Sequence, residues 1–150
     1  MDIWHISDLH LTKEEIEGGM VFGEIPKADV AVVLGDLSSH MDANLKWCAK
    51  VVRPHMPVVY VPGNHDFHWR GIIQASAEGR GLARKLGIHY LDGDVEIVAG
   101  ARFVGGTFWS DYRRACCISG CQGFRSPPLL HAVAAFTPRP PVTSPAPSGP

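Results

Sequence analysis

Val58-Val59-Tyr60-Val61-Pro62-Gly63-Asn64-His65-Asp66 is an apolar run that ends abruptly in a loop. Its β-branched and aromatic residues favour a strand, and Pro62-Gly63 stops that strand. The loop then carries an amide, an imidazole and a carboxylate in succession, more chemistry than a turn alone calls for. The pattern recurs twice upstream. Residues 2–6, Asp-Ile-Trp-His-Ile, lead into Ser7-Asp8-Leu9-His10, and residues 30–34, Val-Ala-Val-Val-Leu, lead into Gly35-Asp36-Leu37. The second run is continuously apolar, as a strand covered on both faces should be.

Between the second and third runs, Met41, Leu45, Cys48 and Val52 recur at helical spacing, so residues 41–53 read as an amphipathic helix ended by Pro54. Strand, helix and strand in this order predict a βαβ unit and a parallel sheet. A second helix is predicted over residues 72–86. After it come short strands at residues 88–91, 95–98 and 102–104, the last two forming a hairpin around Gly100. Residues 11–28, with Gly18, Gly19, Gly23 and Pro26, read as a loop.

All three polar loops follow strands, the edge at which open α/β sheets bind ligands. Asp8 and His10, at i and i+2 of an extended segment, project to one side. Asp36 follows a glycine that permits a sharp turn. Carboxylate, imidazole and amide oxygen together suit divalent ions such as Mn, Fe, Zn or Mg. Other histidines have duller readings: His5 as a core or edge-strand residue, and His40, His55 and His89 as solvated element ends. His68 and Trp69 adjoin the third loop and read as loop residues more than as a pocket wall.

Asp8-Leu9-His10, Gly35-Asp36 and Gly63-Asn64-His65-Asp66, with Gly105-Gly106-Thr107-Phe108-Trp109-Ser110-Asp111-Tyr112 after the hairpin, resemble the calcineurin-like metallophosphoesterases. The resemblance covers residues 1–112. It implies an α/β sandwich of two mixed sheets flanked by helices. It also implies a hydrolase that cleaves a phosphate mono- or diester, with water activated at a two-metal site as the nucleophile. By that resemblance Asp8 and His10 hold the first ion, Asp36 bridges both, Asn64 ligates the second, and His65 protonates the leaving oxygen. Asp66 is assigned either to orienting His65 or to capping the next turn. The substrate expected is a small-molecule or nucleotide phosphoester.

The family pattern continues with a Gly-His pair and a Gly-His-x-His element, and neither occurs here after His65. The ligand set is thus expected to be incomplete, with reduced metal occupancy and impaired turnover. The alternative is a non-catalytic metal-binding or interaction module that keeps a half-site.

The missing motifs coincide with a change of composition. Overall the chain has 150 residues, 45% of them hydrophobic, with a formal charge of −1, which argues against nucleic-acid binding. Yet residues 1–112 hold ten Lys/Arg against fifteen Asp/Glu, leaving −5, while residues 113–150 hold four Arg and no acid, leaving +4. Eight of the twelve prolines and Cys116, Cys117 and Cys121 lie in that second part. Two units are therefore predicted: a partial metallophosphoesterase domain over residues 1–112, and a Pro/Arg/Cys-rich tail over 113–150 without regular structure. A reading-frame shift near Tyr112 would produce such a tail. It predicts that rereading the downstream bases in another frame restores the Gly-His motifs. With no secretory pattern and no apolar run of membrane length, the expectation is a cytoplasmic protein without membrane contact.

Overall fold

The computed structural model describes residues 1–21, 23–68, 70–109 and 132–138. Four short parallel strands form the first sheet: β1 (Ile3–Ile6), β2 (Val30–Val33), β3 (Val58–Tyr60) and β4 (His89–Tyr90), in that spatial order. All four residues of β2 are buried, as its unbroken apolar run predicts. Period-two alternation sends its side chains to two different cores. Ala31 and Val33 face the helices, together with Val58 and Tyr60 of β3. Val30 and Val32 face the second sheet, together with Val59 of β3.

That second sheet is antiparallel, β5 (Asp94–Val98), β6 (Ala101–Thr107) and β7 (Ala132–Pro138). Val98, Ala101 and Phe103 pack onto the face of the first sheet, so the predicted α/β two-sheet arrangement is present. The β5–β6 hairpin turns on Ala99 and Gly100, both at positive φ (48° and 81°), as a two-residue primed turn requires. An alanine is strained there, whereas asparagine tolerates that conformation. Ala99→Asn is therefore expected to raise stability by about 0.5–1 kcal/mol, read as a higher urea midpoint at unchanged slope.

Three helices complete the described part. The segment predicted as helix over 41–53 is α2 (Met41–Trp47), continued by a wider π turn at Cys48–Val52. Its periodic residues Met41, Leu45, Cys48 and Val52 are all buried. The helix predicted over 72–86 is α3 (Ile72–Leu86). The expected loop over 11–28 needs correcting, because it contains α1 (Lys13–Glu17). Thr12 accepts from the Glu15 amide while the Glu15 carboxylate accepts from the Thr12 amide. That reciprocal capping box, with Ile16 buried beneath it, starts a helix despite the glycines that follow.

The expected absence of regular structure after residue 113 also needs correcting at one place: Ala132–Pro138 pairs along β6, from Thr107↔Ala132 to Ala101↔Pro138. The partner decides this, since β6 offers a full row of backbone groups on its far side. Cys116, Cys117, Cys121, His131, Trp69, Asp111 and Tyr112 lie outside the described residues. No helix among the described residues is long and apolar enough to cross a membrane.

Candidate metal centre

Because the first sheet is parallel, the loops leaving β1, β2 and β3 emerge at one edge and lie side by side. Backbone bonds continue across them: the His10 amide donates to the Asp36 carbonyl (3.0 Å) and the Leu11 amide to the Leu37 carbonyl (2.7 Å). Gly35 and Gly63 allow the second and third loops to touch. A Cβ on Gly35 would fall on the Gly63 backbone, and one on Gly63 would overlap the Asp36 carboxylate. The two glycines are needed for contact as much as for turning.

Four non-glycine residues among those described have positive φ, and three of them are Asp8 (54°), His10 (48°) and Asp36 (54°). Left-handed backbone costs of order 1 kcal/mol at a side-chain-bearing residue. Here it falls on the residues singled out as ligands, while elsewhere it appears only in the hairpin turn.

The strained loops bring His10, Asp36 and His65 together. One ligating atom from each lies within 4.8 Å of the others, with Asp36 buried, His65 half-buried and His10 exposed. Asp8 Oδ1 stands 3.8 Å from His10 Nε2. Asn64, half-buried, heads the 3₁₀ turn His65–Phe67. Two imidazoles and a carboxylate around one opening form a donor set suited to a divalent ion.

Asp36 is fixed at both ends. Its Oδ1 accepts from the His65 amide (2.8 Å), and its own amide donates to Asp66 Oδ2 (3.1 Å). Burial pushes its carboxyl above the ordinary range, against the pull of the His65 amide. Burial also holds the His65 imidazole below the usual histidine value, so it is neutral at pH 7.

Asp66 does not orient His65. Successive side chains of a 3₁₀ turn diverge by about a third of a revolution. The Asp66 carboxylate therefore points inward, where Oδ2 also accepts from the Gly63 amide (2.8 Å), closing the turn. Its Oδ1 accepts from Asn44 Nδ2 (2.8 Å) and the Tyr60 hydroxyl (2.5 Å). The buried carboxylate thus ties the Asp36 loop, the Gly63 loop, β3 and α2 together. His65 Nδ1 is instead 3.3 Å from Ser39 Oγ, which stands at the same distance from His68 Nδ1. The histidine rings are close as well, with centroids 4.7 Å apart for His10 and His65 and 4.5 Å for His65 and His68.

Sequence reasoning missed Asn44, Tyr60 and Ser39. Asn44 left a signal: it lies three residues after Met41 and four before Cys48, on the apolar face of α2, where a buried amide must find partners. Its Nδ2 also donates to the Ser38 carbonyl (2.9 Å), and its Oδ1 accepts from Ser38 Oγ (2.5 Å). Tyr60 and Ser39 carry no such signal.

Compared with known families, the sequence matches the calcineurin-like phosphoesterases over residues 1–123. The chain belongs to that family. The match runs eleven residues past Tyr112. Among curated proteins none matches. Among solved structures, a phosphopantetheinyl hydrolase from Mycobacterium tuberculosis is 20% identical with a TM-score of 0.45, over 65% of this chain and 38% of that one. The chain thus spans well under half the length of that hydrolase. As a calcineurin-like phosphoesterase by family, this chain presents its polar loops where the sheet edge gathers them.

Proposed function

We propose that the chain is a metal-dependent hydrolase of phosphate mono- or diesters, its site formed by Asp8, His10, Asp36, Asn64 and His65. The observation carrying this reading is the convergence of His10, Asp36 and His65 on one opening, in a chain of the phosphoesterase family. Divalent ions bound there would supply Lewis acidity toward the phosphoryl group and acidify water. Asp36 contributes a fixed negative charge between the first and third loops. Asp8 and His10 extend the donor set on one side and Asn64 on the other. His65 is placed near the leaving oxygen, where its ring, neutral at rest, would take up a proton from solvent or from metal-acidified water and pass it to that oxygen, with Ser39 Oγ as partner for its Nδ1. The substrate is a small-molecule or nucleotide phosphoester, and manganese is a suitable ion for this mixed set.

Without a Gly-His pair or a Gly-His-x-His element after His65, the donors in this sequence hold a second ion weakly, so turnover is slow. A Mn²⁺-supplemented assay on an aryl phosphate and an aryl phosphodiester tests the reading. Hydrolysis that a chelator stops supports it, and background rates overturn it. Calorimetric Mn²⁺ binding without turnover would identify the non-catalytic module instead.

Acid should weaken metal binding. His65 must be neutral and Asp36 ionised for the opening to attract a cation. His65 has a lowered pKa, so affinity is expected to persist through the range where an ordinary histidine protonates and to fall only at lower pH, as the imidazole takes up its proton. Asp36, whose pKa is raised, protonates at a higher pH than an ordinary carboxylate and steepens the loss. Calorimetric titration with Mn²⁺ at pH 7.5, 6.5 and 5.5 checks the trend.

A further inference from the structure

Beside the metal centre a cavity of about 410 Å³ lies between α2 and α3, within the range of small-molecule sites. Ser39 and His68 line the end nearest the centre, and Ser39 Oγ is 3.3 Å from His65 Nδ1. The cavity therefore begins one hydrogen bond from the ring assigned to meet the leaving oxygen. Met41, Ala75, Gly79 and Leu82 also line it, and all four are apolar. Methionine there adapts to irregular apolar shapes. Among the described lining residues Arg70 is the one Lys or Arg, and it is ion-paired with Glu78, itself in the wall. Asp42, the other acidic wall residue outside the loop network, is held by Lys46 at 3.0 Å. The lining thus mixes these apolar residues with polar ones, and its three carboxylates, Asp42, Asp66 and Glu78, against the single arginine disfavour a second phosphate and leave an uncharged body as its natural occupant.

We infer that this cavity receives the alcohol portion of the phosphoester, and that it selects an uncharged aryl or medium-length alkyl group over a nucleotide carrying further phosphates. The inference rests on the phosphoesterase reading for the position of the phosphate. Leu82, a lining residue on α3, is assigned as a specificity-determining residue.

Binding of non-hydrolysable phosphonates tests this without requiring turnover. With Mn²⁺ present, phenylphosphonate is expected to bind the full chain at least about tenfold more tightly than methylphosphonate, by calorimetry or ³¹P NMR. Leu82→Trp, which fills the cavity, should bring that ratio close to one. Leu82→Ala, which widens it, should shift the preference toward naphthylphosphonate, and circular dichroism establishes that each variant is folded. Equal affinities for phenyl and methyl compounds, or a preference that survives in folded Leu82→Trp, would overturn the inference. If turnover persists with equal affinities, the phosphoesterase reading stands and the cavity assignment alone fails. If phenylphosphonate is preferred but no ester is hydrolysed, the cavity assignment stands and the enzymatic reading fails. Absence of binding by either phosphonate to the metal-loaded chain would overturn the cavity assignment.

Discussion

Asp36→Asn is expected to abolish metal-dependent phosphoester hydrolysis while leaving the protein folded. Asparagine is nearly isosteric with aspartate, and its carbonyl oxygen can still accept from the His65 amide as Oδ1 now does at 2.8 Å. The residue's own amide still donates to Asp66 Oδ2. The negative charge that draws a cation between His10 and His65 is what disappears. Residues that only support metal ligands cost about 10- to 100-fold in affinity or activity when replaced, so loss of the ligand itself should cost at least about 100-fold. A buried carboxylate is also costly to ionise, and replacing it removes that cost. The variant should therefore be as stable as the parent or slightly more so. Calorimetric Mn²⁺ titration, the aryl phosphate assay and urea unfolding read these outcomes separately. Retained turnover in Asp36→Asn would place the chemistry elsewhere.

Asp66→Ala is expected to lower stability by about 3–5 kcal/mol, the range for removing one partner from a buried charged network. Four donors converge on this carboxylate: the amides of Asp36 and Gly63, Asn44 Nδ2 and the Tyr60 hydroxyl. Alanine leaves all four without their acceptor, and Asp66 is only 3% exposed, so water cannot readily replace it. Asp66→Asn keeps one acceptor oxygen but turns an NH₂ toward two of the donors, and should lose about half as much. Burial raises the Asp66 pKa, so its contribution runs opposite to that of an ordinary salt-bridged aspartate. It is fullest below the unfolded value near 3.9 and declines as pH rises through the higher folded value. The gap between parent and Asp66→Ala in urea unfolding should accordingly be wider at pH 4 than at pH 8. Tyr60 is drawn into the same network, and burial beside Asp66 pushes its phenol well above the ordinary value.

Much of the fold is visible in local pattern. The β-branched run of residues 30–34, the helical recurrence of Met41, Leu45, Cys48 and Val52, and the span of α3 all come from side-chain periodicity, which burial enforces. Helix α1 carries a local signal too, the Thr12 and Glu15 capping pair, which a reading from the glycines and Pro26 alone leaves out. Strand β7 was not visible, because nothing in Ala132–Pro138 alternates polar with apolar over more than a few residues. Its pairing is imposed by the open side of β6.

The residues proposed for the site, Asp8, His10, Asp36, Asn64, His65 and Asp66, stand out along the chain because loops after strands have few structural reasons to carry so many donors. Their division of labour cannot. Whether Asp66 turns toward His65 or into the core depends on the direction set by a 3₁₀ turn and on partners 6 to 30 residues away. Likewise the cavity beside His68 exists only where α2 and α3 meet, elements whose separation in sequence conceals their contact in space. Local pattern specifies strands, helices and the chemistry each loop carries, since those depend on neighbours a few residues apart. Which groups face one another, and so which one binds, supports or excludes, depends on packing between distant segments.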